Sequence, residues 1–288
     1  MSKYAWIKEH RTEFPVTIMC AALDVARAAF YGWLKRPDRP RQQYRKTLAA
    51  RIAQLRQEPY LDTYGSPRVT EELKARGVKV SQNTVAKVMK QANIRAKTSK
   101  RFVPCTTDSA HDFPVPANTL GRDFTATAAN QKWLCDITYI PTDQGWLYVA
   151  GVLDCFSRKI VGWSMSTRMP AELVSDALNM AISRRQPGAG LIHHSDRGVQ
   201  YACDAYQSLL ASHGIQCSMS RVGNCYDNAM KESFWSTLKR EAINGRRFQT
   251  IEEARAAVFE YIEVFYNRVR RHSSLGYVSP ERFEASLN

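Results

Sequence analysis

Carboxylates are the groups from which chemistry is most readily built in this chain, and most of its 27 Asp and Glu are placed where water simply solvates them. Asp136 is different. It sits inside "KWLCDITYI" (132–140), an alternating run rich in β-formers, and shares a strand face with Leu134, Thr138 and Ile140. A carboxylate in that company is costly unless it is paired or bound to a cation. Asp196 closes "GLIHHSD" (190–196), at the carboxyl end of a second apolar strand, where open α/β sheets place their sites. The same "HHSDRG" also reads as an ordinary polar turn. If the two strands pair, both carboxylates lie side by side and a metal ion becomes the natural occupant. A third ligand would come from the helix "YDNAMKESFWSTLKRE" (226–241), which offers Asp227, Glu232 and Glu241. At 100° per residue, Lys239 falls within about 20° of Glu232, Asp227 about 140° away and Glu241 about 180° away. Asn228 and Ser236 flank Glu232 one turn to either side, so Glu232 shares a stripe with a cation and small polar groups. Phe234 and Trp235 anchor the helix elsewhere. Carboxylates select hard cations such as magnesium or manganese. Asp154, in "LDCFSR", is a decoy acid expected to have a structural role near the sheet edge.

These positions need a sheet with helices on its faces, and the surrounding residues supply one. "PTDQG" is a turn, and "WLYVAGVLDC" and "RKIVGWSMS" are two further strands. A helix over 170–186 follows, ended before Pro187-Gly188, then "GLIHHSD", a helix over 199–213, the short strand "IQCSMS" and the helix that carries Glu232. Three strands, then helix, strand, helix, strand, helix is an α/β layer order with a mixed sheet. A tail helix, 251–267, puts Ala254, Val258, Tyr261, Ile262 and Phe265 on one face, expected to pack on the sheet domain. "RVRRH" (268–272) either touches a polyanion or caps that helix, and Ser279-Pro280 starts a last short helix.

The charge is uneven. Net charge is +14, and residues 1–101 hold all of the excess, with 22 Lys and Arg against 8 Asp and Glu, while 102–288 are balanced. A segment this lopsided points to nucleic acid. Its helices fit. "FPVTIMCAALDVARAAFYGWLKRP" (14–37) has Ile18, Ala22, Val25, Ala29 and Trp33 at helical spacing, with Asp24 placed to end one helix and cap the next. After the helical stretch "YRKTLAARIAQLRQE", residues 64–97 give Ser66-Pro67 at a helix start, Gly77 at its end, and Ser81 or Asn83 capping "TVAKVMKQAN", whose Val85, Val88 and Met89 face a core. Helix, tight turn, helix is the helix-turn-helix pattern, although a generic three-helix bundle has the same periodicity. Candidate recognition helices are 25–35 and 82–92, with Arg27, Lys87 and Lys90 as candidate DNA contacts. Proline-bearing 98–131 reads as a linker. The seven cysteines are scattered with no C-x-x-C, which argues against disulfides and zinc ribbons. No apolar run approaches the length of a membrane span, and a cytoplasmic location is expected.

Four contexts in order carry a resemblance. "WLCDITY" (133–139), "HSDRGVQY" (194–201), "NCYDNAMKESFWSTLKRE" (224–241) and "YNRVRRHSSLGYVSPERF" (266–283) resemble the motifs of retroviral-integrase-like transposases, with thirty-five residues between Asp196 and Glu232. The chain is similar to the catalytic, second-reading-frame protein of bacterial insertion sequences. The resemblance implies an RNase H-like mixed sheet flanked by helices, preceded by an all-α helix-turn-helix region. Its expected divisions are 1–47, 48–100, a linker 101–124, a catalytic core 125–245 and a helical tail 246–288. It implies that Asp136, Asp196 and Glu232 are catalytic and hold two magnesium or manganese ions, Asp136 bridging them. Water would free a 3′ hydroxyl at the element's end, and that hydroxyl would attack another phosphodiester. Lys239 would grip terminal DNA, with Arg197 and Asn228 as further contacts. His194 would orient the loop, approach DNA, or be purely structural, and Gly198 would allow a sharp turn. Double-stranded DNA, a homo-oligomer on DNA and an upstream-frame fusion partner are the implied partners, in a nucleoid-associated setting without membrane contact. The His-His-Cys-Cys module of retroviral integrases is missing, so no zinc is expected. Two other readings stand beside this one: a non-catalytic helix-turn-helix regulator derived from such an element, and a plain RNase H-like nuclease.

Overall fold

The computed structural model describes residues 2–35, 40–97, 116–121, 123–220 and 229–287, without the side chains of 229–232. Most of the expected linker and Asn228 therefore lie outside the described residues. The alternating run predicted as a strand forms β1 (Lys132–Thr142), and Gly145, at φ 114°, turns the chain into β2 (Gly145–Asp154). β3 (Ile160–Ser166) completes an antiparallel meander. After α7 (Ala171–Arg185), β4 (Ile192–Ser195) pairs parallel with β1. α8 (Val199–Ala202) and α9 (Asp204–Ser212) replace the single helix expected over 199–213, broken at Cys203, whose φ −65° and ψ 148° are extended. β5 (Gln216–Met219) pairs parallel with β4, giving the order β3-β2-β1-β4-β5. This is the mixed α/β sheet that the element order implies.

The pleat sends alternate side chains of β1 into two cores. Trp133 and Cys135 join Leu173, Ala177, Tyr206 and Leu210 on the face covered by α7 to α9. Leu134 and Ile140 join Phe234 and Trp235 of α10 (Ala229–Leu238) and Val258 of α11 (Ile251–Phe259) on the other. Gly162 lets α7 touch the sheet directly: a Cβ there would strike the Ala177 carbonyl and lie 2.7 Å from the Ala181 nitrogen. α11 starts at a Thr250 cap, whose hydroxyl accepts the Glu253 N–H at 3.1 Å, and widens into a π-helical stretch over Glu260–Tyr266. All five residues expected on its inner face are buried. α12 (Pro280–Ala285) begins at Ser279, as its Ser-Pro pair predicts.

The first helical unit departs from its expected packing. α1 (Lys3–His10), α2 (Val16–Ala22) and α3 (Arg27–Lys35) bury Ile7, Met19, Cys20 and Phe30, whereas Ile18 is 63 % exposed and Ala22 and Ala29 face solvent. The reason is α1, which periodicity over 14–37 alone cannot reveal. Its Ile7 and Tyr4 pack against α2 and α3 and turn their inward faces away from Ile18. Asp24, at φ 50°, makes the left-handed turn between α2 and α3.

The second unit comprises α4 (Pro40–Leu55), α5 (Ser66–Ala75) and α6 (Gln82–Gln91). A division at residue 47 falls inside α4, whose Leu48, Ile52 and Leu55 pack with Val69, Leu73, Val85, Val88 and Met89. The cap of α5 is Gly65 rather than Ser66, with Pro67 in the first turn, and Ser81 caps α6. The apolar core of this unit is continuous with that of the sheet. Tyr60 makes the junction, its ring 5.4 Å from Tyr261 and 4.8 Å from Phe265. Among the described residues no single helix is long and apolar enough to cross a membrane; α2 and α3 together pass that test by length and composition but are bent by 113°.

Candidate active site

β1 and β4 are in register from Lys132↔Ile192 to Leu134↔His194. Continued two residues, this pairing sets Asp136 level with Asp196, which follows the last residue of β4. Both carboxylates line one crevice with Ile137, Met169, Gly198, Gln200 and Tyr201. The strands thus bring together the two acids that sequence spacing separates by sixty positions. Asp136 is partly exposed, although Leu134, Thr138 and Ile140 on its face are buried, and it lies just beyond the last β1–β4 pairing. The cost expected of a core carboxylate is correspondingly smaller.

The Asp196 loop is built by short local bonds. The Asp196 Oδ1 accepts the Gly198 N–H at 3.0 Å, and the Arg197 Nε donates to the Ser220 carbonyl at 2.7 Å, tying the ends of β4 and β5 together. Gly198 lies in the short turn from β4 into α8, but the turn does not need a glycine's backbone. Its φ of −59° suits any residue; a Cβ there would crowd the Asp196 Oδ1 at 3.2 Å and the Gln200 Oε1 at 3.1 Å. The glycine makes room beside the carboxylate.

Neither histidine of the motif faces the crevice as a ligand. His194 is buried, with Nδ1 at 2.9 Å from the Ser218 hydroxyl and Nε2 at 3.1 Å from that of Ser220. His193 Nε2 meets the Tyr206 hydroxyl at 2.8 Å, and burial pushes its pKa down to about 3. Of the readings open for His194, the structural one holds.

Glu232 lies in α10, although its side chain is outside the described residues. The placement of its helix is fixed by the next turn. Trp235 is buried over Gly151, where a Cβ would lie 3.0 Å from the indole, and Gly151 is the β2 partner of Asp136. α10 therefore crosses the sheet at the level of Asp136. It continues into a π-helical turn, Lys239–Ile243, where the Lys239 Nζ sits 4.8 Å from the centre of the Tyr139 ring and burial lowers its pKa. Among the described residues, no three His, Cys, Asp or Glu side chains gather to hold a metal; Asp136 and Asp196 form a pair.

The decoy acids have partners of their own. Asp154 is fully buried and accepts the N–H groups of Asn130 at 2.7 Å and Phe156 at 2.8 Å. Glu241 is buried at the far side of α10. It takes both Arg270 Nε at 2.7 Å and Nη2 at 2.8 Å, the Tyr261 hydroxyl at 2.8 Å and Arg68 Nη1 at 3.2 Å. Burial alone would raise its pKa, but these donors outweigh it and lower it. "RVRRH" is thus largely an internal clasp: Arg270 is buried, and Arg271 binds Glu72 at 2.6 Å and the Tyr277 carbonyl at 2.9 Å. The anchoring role expected of Trp235 is met on Gly151, whereas Tyr201 has no role in the sequence reading and the clasp is neither of the two readings open for "RVRRH". The signal for the clasp was Glu241 itself, an acid on the apolar side of an amphipathic helix. Arg27, Lys87 and Lys90 are all exposed, on α3 and α6, far along the chain from the crevice.

Residues 126–225 match an integrase core domain family, 213–280 a second integrase core domain family, and 43–102 an HTH-like domain. The chain is 46 % identical over 288 residues to the transposase InsF for insertion sequence IS3A of Escherichia coli (strain K12), covering 98 % of each. It is 43 % identical over 267 residues to the insertion element IS600 uncharacterized 31 kDa protein of Shigella sonnei, covering 92 % of this chain and 97 % of that one. The HTLV-2 integrase catalytic core domain in complex with magnesium, trimeric form, superposes with a TM-score of 0.44 at 15 % identity, over 56 % of this chain and 99 % of that one. A chain of the simian T-cell lymphotropic virus intasome superposes with a TM-score of 0.47 at 13 % identity, over 81 % and 74 %.

Proposed function

The chain belongs to the insertion-sequence transposases typified by IS3, with an integrase core behind an HTH-like domain, and from that premise we propose that Asp136, Asp196 and Glu232 form the centre that cuts and joins DNA at the element's ends. The observation that carries this reading is the β1–β4 register, which puts Asp136 level with Asp196 on one crevice. The seat of Trp235 on Gly151 supports the third member, since it lays the helix of Glu232 across the same strands.

The donor chemistry fits hard divalent cations. Asp136 and Asp196 offer oxygen only, while His193 and His194 are turned inward on hydroxyl partners. Asp136, Asp196 and Glu232 would together hold two magnesium or manganese ions. When bound, such a pair supplies Lewis acidity to the entering and the leaving oxygen of an in-line displacement. The protein's own groups do the rest. Gly198 keeps the Asp196 carboxylate uncrowded, and its N–H fixes one oxygen. Lys239, held against Tyr139, is assigned to a terminal phosphate, as are Arg197 and Asn228. Arg27, Lys87 and Lys90, exposed on α3 and α6, are assigned to flanking duplex. The reaction has two steps: water attacks the phosphorus of a phosphodiester at the element's end and releases a 3′ hydroxyl, and that hydroxyl attacks the phosphorus of another phosphodiester, whose own 3′ oxygen leaves as the new bond forms. Joining two ends calls for an oligomer on DNA, and an upstream-frame partner is proposed to assist end recognition. We assign the DNA-binding units to residues up to 100, the catalytic core to 125–245 and the tail to 246–288.

The test uses purified protein, magnesium and labelled duplex carrying the sequence that flanks its gene. Cleavage at the element's end is expected, and should vanish in Asp136→Asn, Asp196→Asn and Glu232→Gln while each still shifts DNA in a gel. Full activity in any one variant removes that residue from the centre. Cutting of RNA–DNA hybrid without end preference or joining would instead favour the nuclease reading. DNA binding without cleavage, even with the upstream-frame protein supplied, would favour the regulator.

A further inference from the structure

The helix of Glu232 has two ends, and the fold holds them differently. One lies over the sheet through Trp235 on Gly151. The other runs without a break through Lys239–Ile243, where Glu241 is buried among charges from three separate parts of the chain. Arg270 and Tyr261 come from the tail, packed on the same sheet. Arg68 comes from α5, the first helix of the HTH-like pair, and donates to the Glu241 Oε1 at 3.2 Å. Arg240, next in sequence, has its guanidinium 3.8 Å away.

From this geometry we infer that Arg68 is a positioning residue: through Glu241 it lets the HTH-like domain set the seat of the helix that carries Glu232. Three observations carry it. First, Arg68 is surplus to the charge balance, since Glu241 already has a bidentate partner in Arg270. Burial lowers the Arg68 pKa, so this cation is held in the cluster against a desolvation cost. Arg68 is half-buried, and surplus charges desolvated in a cluster are best attested where they fix register rather than add stability. Second, the contact is not isolated. Arg271 binds Glu72 of α5 at 2.6 Å, one turn after Arg68 on the same face, and its backbone N–H donates to the hydroxyl of Tyr64, just before α5, at 3.0 Å, so α5 is tied to the tail at more than one point. Third, α5 is rigidly joined to the candidate recognition helix α6: Val69 and Leu73 share a core with Val85 and Val88. A load on α6 from bound DNA therefore reaches the far end of α10 through packed elements and one ion pair.

This inference rests on the reading of Glu232 as catalytic, and the test separates the two. Arg68→Ala leaves Glu241 paired with Arg270 and should fold. Three quantities are compared in the full chain for wild type, Arg68→Ala and Arg68→Lys: affinity for labelled element-end duplex, the rate of cleavage of bound duplex, and backbone amide exchange over 229–243. For Arg68→Ala we expect unchanged affinity, a cleavage rate lower by about tenfold, and exchange over 239–243 faster by about the same factor, set by the loss of one charged hydrogen bond. Arg68→Lys should recover part of both. Unchanged exchange over 239–243 in Arg68→Ala overturns the inference. So does weaker DNA binding with normal cleavage of the bound fraction, which would make Arg68 a DNA contact. If wild type itself fails to cleave, the proposed function fails, and the exchange comparison still decides whether Arg68 holds the helix.

Discussion

Gly151→Ala probes the seat of α10 most sharply. Gly151 faces Asp136 across the β1–β2 ladder, and a Cβ built on it lies 3.0 and 3.1 Å from two carbons of the Trp235 indole. Carbon atoms in good contact are about 3.5 to 4.0 Å apart, so ring or strand must give by about 0.5 Å. The ring has little freedom, being 6 % exposed and packed at 4.7 Å against Phe234. Overpacking of this kind costs about 1 to 3 kcal/mol, and alanine recovers about 0.5 to 1 kcal/mol of the backbone entropy that glycine loses in a strand. A net destabilisation of about 1 kcal/mol is expected, which the fold should survive. The effect on chemistry should be larger. Glu232 is one helical turn before Trp235, and a displacement of about 1 Å at a reacting centre can cost about 100-fold in rate. The assay pairs urea denaturation with single-turnover cleavage of labelled end duplex. The expected result is a small loss of stability with a loss of cleavage of tenfold or more and unchanged DNA affinity. Full cleavage with a 1 kcal/mol loss would show that the seat of Trp235 does not set the position of Glu232.

Other outcomes follow from the same geometry. Gly162→Ala meets backbone, not a flexible side chain, at Ala177 and Ala181; it should cost about 3 kcal/mol or more and be seen as loss of the cooperative unfolding transition. His193 and His272 are both kept neutral by burial, their pKa values pushed down to about 3 and about 2. The unfolded chain takes up those protons first, near pH 6.5, so the stability they contribute is present above that pH and is lost as pH falls toward 3. Each contributes a slope of up to about 1.4 kcal/mol per pH unit, and the urea midpoint should fall between pH 7.5 and 5; a flat or rising midpoint would contradict their burial as neutral groups. Lys87→Ala with Lys90→Ala should weaken binding to all duplexes alike and reduce the slope of log affinity against log salt by about 1 per lysine, read by titrations at several salt concentrations.

How far the sequence shows this molecule can be argued element by element. The strands of the core are legible because β1 alternates and its turn carries Gly145, and the layer order then leaves few sheets to choose from. Asp136 and Asp196 are legible because a carboxylate on an apolar strand and one at a strand's end both need a reason. Their common level is not, since it depends on which strands pair. The exposure of Ile18 in the first helical unit is not legible, because α1 has almost no amphipathic signature of its own to announce that Ile7 packs inward. Glu241 and "RVRRH" show the other limit. Periodicity turns Glu241 away from the stripe of Glu232, but no local pattern says that an acid and two arginines 29 and 173 positions distant will meet. Gly198 is a subtler case: the turn is legible, but the need for glycine in it is not, because crowding of a neighbouring carboxylate is a contact and not a backbone angle.

The central claim is that three carboxylates make one divalent-metal centre, and manganese binding tests it without relying on turnover. Calorimetric titration of manganese into the wild-type chain, with bound end duplex, should show saturable binding. Asp136→Asn should abolish it, and Asp196→Asn and Glu232→Gln should each weaken it and lower its stoichiometry. Manganese binding that is unchanged in all three variants would contradict the account.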